Sequence, residues 1–222
     1  MLHPSIFTFV TLVILIAALP INSALAGRRL RAATPSPNAK LFRYGRTIVI
    51  LWSVTALAAY ALRLHGFGAR DVGLVAPHQP WQLAAGGIAL VGPVLAMLSG
   101  APRALSPDYA LALRAVVPET RAEWALFWIV AASAGICEEF LYRGYALWAV
   151  ARLTGDVLFG VIASTLAFGF AHAYQGRAGV VNATISGGLY AAVFLATGSL
   201  YPCMIGHFAQ DIAGAAILTR KL

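Results

Sequence analysis

Charge is scarce in this chain. Only 11% of its 222 residues are Asp, Glu, Lys or Arg, and the acids number eight against sixteen basic residues. Soluble globular domains carry about 25% charged residues, so an ordinary water-facing surface is excluded. Cysteine is nearly absent: Cys137 and Cys203 are the only two, both in or beside apolar stretches. Two are too few for a disulfide framework or a zinc ribbon, and both are expected as free thiols. No HExxH signature of a helical zinc site occurs. There is no internal repeat and no low-complexity tract. The net charge of +8 raises nucleic acid as a partner, but the basic residues stand at the ends of apolar segments, where they orient a chain in a bilayer and meet anionic lipid. Nucleic acid is not expected as a partner; the lipid bilayer is.

What the chain has instead is hydrophobic sequence. It is 60% hydrophobic with a mean hydropathy of +0.77. About 20 apolar residues span a bilayer, and apolar segments lie near 5–26, 47–62, 82–99, 123–137, 140–153, 157–173, 179–197 and 200–218. Lipid admits only helices or closed barrels, and the alternation of barrel strands is missing. The expected fold is therefore all-α, a polytopic transmembrane helical bundle of about 7–8 membrane segments forming one integral membrane domain over 1–222.

The first segment ends in Ala24-Leu25-Ala26, the small-residue pattern of a signal cleavage site. Its positive charges, Arg28, Arg29 and Arg31, follow the apolar run rather than precede it, so a retained first helix is expected. Those arginines with Lys40, Arg43 and Arg46 make 27–46 a basic loop, which the positive-inside rule puts in the cytoplasm and the N-terminus outside. The localisation expected is a multi-pass protein of a bacterial-type inner membrane. Arg63 and Arg70 mark the far side, and Arg103, Arg114 and Arg121 a second cytoplasmic loop. Eight crossings would leave the basic tail, Arg220 and Lys221, outside. Either one segment in 123–153 is re-entrant or the tail escapes the rule.

Four charged groups fall well within apolar segments: Glu138, Glu139, Arg143 and Asp211. Each costs about 3 kcal/mol at mid-membrane, and together roughly 10 if unpaired. Glu139 and Arg143 stand at i and i+4 with the acid first, the better order for a helical ion pair. Glu138 points roughly 100° away and needs another use. Phe168 and His172 share a helical face at i and i+4. His207 and Asp211 repeat that spacing, at which a carboxylate can hydrogen bond one imidazole nitrogen and fix the tautomer. Taken singly, each is as well explained by packing or a helix–helix linkage. Together they supply a general base, two imidazoles able to bind a metal or an oxyanion, and an orienting carboxylate, the parts for activating water against an amide.

These residues resemble the CPBP (ABI) intramembrane proteases, which include the CAAX prenyl endopeptidases and bacteriocin-processing proteins. Their pattern is EExxxR, then FxxxH, then HxxxN or HxxxD. Here it reads Glu138-Glu139-Phe140-Leu141-Tyr142-Arg143, Phe168-Gly169-Phe170-Ala171-His172 and His207-Phe208-Ala209-Gln210-Asp211. All three occur in order on different apolar segments, and the resemblance covers roughly 120–218, the expected catalytic core. It implies an intramembrane endopeptidase in which Glu138, His172, His207 and Asp211 surround the reacting carbonyl of a peptide or protein substrate in the membrane, with Glu138 activating water. Glu139 and Arg143 are positioning residues and Phe168 a wall of the site. Asp211 stands where many relatives have Asn; an ionised acid cannot donate to an oxyanion, so it is expected to orient His207 or bind a cation.

Two mechanisms stay open. Zinc held by Glu138, His172 and His207 would leave one position for water, whereas in a glutamate peptidase without metal Glu138 takes the water proton and the histidines stabilise the oxyanion. Ser186 with His207 would make a serine dyad, but Thr184 breaks the G-x-S-G arrangement and Glu138 is left unexplained; Cys203 with His207 would make a thiol dyad, but a buried cysteine is better explained by packing. A proton- or ion-coupled transporter is the alternative class, since buried acids, histidines and an arginine also describe one, although transporters usually show repeats. A scaffold or immunity role without catalysis is third. The sequence is silent on oligomeric state, and counting along the helices raises a difficulty: His172 lies late in its segment and His207 early in its own.

Overall fold

The computed structural model describes residues 5–32, 38–98 and 107–220. Arg103, Lys221 and residues 33–37 of the basic segment lie outside the described residues. Within them the protein is all helix, with no strand. We number the helices α1 (Ile6–Leu30), α2 (Ala39–Leu64), α3 (Pro80–Leu98), α4 (Pro107–Val116), α5 (Arg121–Thr154), α6 (Val157–Phe170), α7 (Gly176–Thr197) and α8 (Tyr201–Leu218). The spans Ile6–Leu30, Ala39–Leu64, Arg121–Thr154 and Ala173–Thr197 are long and apolar enough to cross a membrane, and Val157–Phe170 is a shorter apolar helix.

Sequence and structure part company at α5. The apolar segments 123–137 and 140–153 are one continuous helix of 34 residues, not two passes and not a re-entrant pair. Thr120 starts it with a capping box: its hydroxyl accepts from the Glu123 amide at 3.2 Å, and the Glu123 carboxylate accepts from the Thr120 amide at 3.1 Å. The dip in hydropathy at Glu138–Arg143 marks polar side chains, not a break in the backbone. There the helix widens into a π-helical turn, Phe140–Ala146, whose seven residues are all buried. Gly155, at φ +77°, and Asp156, which caps the next helix by accepting from Leu158 and Phe159, turn the chain sharply into α6.

The bundle has two poles. At one, the Ser5 amide donates to His65, Leu200 N–H donates to the Gly73 carbonyl, and Ser199 Oγ donates to the Val75 carbonyl. At the other, Lys40 and Arg43 donate to the carbonyls of Val117 and Ala115, and Thr219 donates to that of Pro118. The 27–46 stretch is less a loop than two helix ends, since helix runs to Ala32 and resumes at Ala39.

A short 3-10 turn, Ala69–Val72, dips into the first pole. A Cβ on Gly144 would touch both the Val72 carbonyl and the Leu200 side chain, so α8 begins level with Gly144. That point lies ten residues, or ~15 Å, below the end of α5 at Thr154. Starting α8 this deep removes the mismatch in depth between His172 and His207.

Candidate active site

The site is built around a chain of three sealed groups. Arg143 Nη1 donates to Glu139 Oε1 at 3.0 Å, and His207 Nδ1–H donates to the same oxygen at 2.7 Å. The Glu139 and Arg143 side chains are 0% and 1% exposed. Arg143 lies with its guanidinium 4.2 Å over the Phe168 ring, a cation–π contact strengthened by the absence of water. Gly187 makes room for it, because a Cβ there would meet both Arg143 Nη2 and Phe168.

Glu139 rather than Asp211 is therefore the acid hydrogen bonded to His207. Asp211 Oδ1 is 3.8 Å from the other ring nitrogen, Nε2, beyond hydrogen-bond range. This differs from the reading from helical spacing, and the reason is positional: the i+4 acid lies on the Nε2 side of the ring, while Nδ1 is met from α5. Glu138 Oε2 lies 3.9 Å from the same Nε2. The Glu138 and Asp211 side chains keep 18% and 31% exposure, against 7% for His207, so they form the open rim of the cluster.

His172 joins through Phe168, whose ring centroid is 4.8 Å from one imidazole and 5.9 Å from the other. Its Nδ1 is 2.9 Å from the Phe168 carbonyl. A carbonyl only accepts, so Nδ1 carries the proton, and the neutral ring presents a lone pair at Nε2. Phe168 is thus more than a wall, since it touches Arg143 and both histidines. Sequence reasoning passed over Tyr190, whose ring stacks on His207 at 14° and 5.8 Å. It donates to Gln210, which donates to Ser186. Ser186 is held in that network, and Cys203 is buried with its Sγ 3.3 Å from the Tyr190 carbonyl. Cys137 is also a buried free thiol.

For zinc, the donors would have to stand as a set. Among the described residues no three His, Cys, Asp or Glu side chains are grouped to hold a metal ion.

Residues 120–213 match the family model of the type II CAAX prenyl endopeptidases, Rce1-like. The match over this stretch is consistent with the CPBP family. The stretch contains the whole cluster from Glu138 to Asp211, and with the long apolar helices it makes the chain an integral membrane protein carrying a peptidase-type domain. No curated protein and no solved structure matches the chain.

Proposed function

We propose that the protein is an intramembrane endopeptidase that cleaves a membrane-associated substrate, a prenylated or leader-bearing peptide, with water activated by Glu138 and without a metal. The observation that carries this reading is the division of labour between adjacent acids. Glu139 is sealed and committed to Arg143 and His207, while Glu138 stays on the open rim with no hydrogen bond among the described residues and its carboxylate 3.9 Å from His207.

In this mechanism the Glu138 carboxylate takes a proton from water as the hydroxide forms its bond to the carbonyl carbon. His172 Nε2, a lone pair fixed by the Nδ1–H bond to Phe168, accepts the water's other hydrogen and aims it. Three carboxylates surround His207, a charge balance met by the doubly protonated ring, whose Nε2–H donates to the oxyanion. When the C–N bond breaks, Glu138 returns its proton to the leaving amine, and the carboxylate is regenerated. Asp211, facing Nε2 from the rim, holds charge beside the imidazolium. We further read the chain as crossing the membrane seven times, with α5 as a single pass.

Glu138→Gln keeps size and hydrogen bonding but removes the accepting charge. General-base catalysis contributes about 10²–10⁴-fold, so peptide cleavage by the purified variant in liposomes is expected to fall at least 10²-fold, with melting unchanged. A strong chelator is expected to leave the wild type active; loss of activity restored by zinc would overturn the metal-free step. Wild-type protein that cleaves nothing in a broad peptide panel, yet moves protons in a Glu138-dependent way, would be a transporter.

A further inference from the structure

A cavity of about 680 Å³ opens at the pole where α2 and α5 end. Its wall includes His65 and Phe67 beyond α2, Asp71 on the 3-10 turn, Trp148 and Arg152 near the end of α5, and Phe194 on α7, and none of the acids or histidines of the catalytic cluster. Three of these side chains hold unused donors. Arg152 is exposed, with its guanidinium 4.7 Å over the Phe67 ring and 5.6 Å over Trp148, and no hydrogen bond or ion pair engages it among the described residues. Trp148 is 8% exposed and its indole N–H has neither a partner nor accessible surface, a costly state for a buried donor that a turn of the ring toward the cavity would relieve. His65 Nε2 accepts from the Ser5 amide at 3.3 Å and lies 2.8 Å from Thr8 Oγ1. An amide N–H can only donate, so the proton of the neutral ring is on Nδ1, the third donor.

The acid in the wall, Asp71, makes no ion pair with Arg152 among the described residues. Asp71 already accepts from the Gly68 amide at 2.7 Å within its own turn. The rest of the lining is apolar, with Val72, Leu147 and Phe194 beside the two aromatic rings. Unspent donors, an otherwise apolar lining and a position at the ends of long apolar helices match a ligand with an anionic oxygen group and an apolar tail. We infer that this cavity binds the phosphate headgroup of an anionic membrane amphiphile, with Arg152, Trp148 and His65 on the phosphate and the tail along Val72, Leu147 and Phe194.

The test is thermal melting of the purified full chain in a neutral detergent, titrated with short-chain phosphatidylglycerol, the phosphatidylcholine of equal chain length, or inorganic phosphate. Saturable stabilisation is expected from phosphatidylglycerol alone. Arg152→Gln and Trp148→Phe, the second keeping an aromatic ring but removing the indole N–H, should each weaken apparent affinity by roughly tenfold or more. Arg70→Gln, an exposed charge outside the cavity wall, should not. The inference is overturned if inorganic phosphate or phosphatidylcholine stabilises equally, if Arg70→Gln weakens binding as much as Arg152→Gln, or if Trp148→Phe binds like the wild type.

Discussion

Glu138 and Glu139 are neighbours in sequence with opposite surroundings, and substitution should separate them. Removing the Glu139 carboxylate leaves Arg143 charged, buried and without its ion-pair partner, a loss that costs about 3–5 kcal/mol for a buried pair. Removing the Glu138 carboxylate breaks no hydrogen bond among the described residues. Glu139→Ala is therefore expected to lower the melting temperature sharply, whereas Glu138→Ala changes it little; equal shifts would contradict the geometry. Helical spacing made the Glu139–Arg143 pair legible, because both residues belong to one helix. The bond from His207 to Glu139 was not legible, since it joins positions 68 apart in sequence and depends on how α8 packs against α5. The same blindness assigned His207 to Asp211, the nearest acid along its own helix. His172 posed a different problem, because its protonated nitrogen is set by a backbone carbonyl, to which residue type gives no clue.

Among the elements, α5 shows how hydropathy misreads a functional helix. A sliding average sees polar residues at 138–143 as a gap, whereas the helix passes straight through, with Glu139 paired to Arg143 and hydrogen bonded to His207 inside the bundle. Close crossings were equally hidden in composition, although the glycines that allow them are in plain view. Gly86 on α3 has no room for a Cβ, which would strike the Pro202 carbonyl of α8, and a Cβ on Gly206 would approach the Gly86 carbonyl. These are backbone atoms, so the helices themselves must separate, as at the small-residue crossings of membrane bundles. Gly87, one residue on, has nothing within 4 Å of its would-be Cβ. Gly86→Ala should thus destabilise by about 1–3 kcal/mol, the usual cost of overpacking, while Gly87→Ala should be neutral or slightly stabilising through helix propensity. Melting both variants in the same detergent gives the comparison, and a Gly86→Ala protein as stable as wild type would mean that α3 does not approach α8 this closely.

For the molecule as a whole, the proposed seven-pass reading, with α5 continuous, sets the expected sidedness of the chain. Eight separate passes left the basic tail on the face opposite the other positive segments, a conflict with the positive-inside rule. With α5 as one pass the number of crossings becomes odd, and Arg220 joins Lys40, Arg43, Arg114 and Arg121 at one pole. The contacts between ends agree: Thr219 donates to Pro118, whose neighbours Ala115 and Val117 accept from Arg43 and Lys40, whereas Ser5 is tied to His65 at the opposite pole. Reporter fusions that are active on only one side of the membrane should therefore place the C-terminus in the cytoplasm with the segment around Asn38, and the N-terminus outside. The His65–Arg152 cavity then faces the outer leaflet, so a maleimide that cannot cross the membrane should label Arg152→Cys in intact cells and fail to label Arg121→Cys until the cells are opened. Both termini on the same side, or equal labelling of the two cysteines in intact cells, would break the seven-pass arrangement and require a second interruption of the chain outside α5.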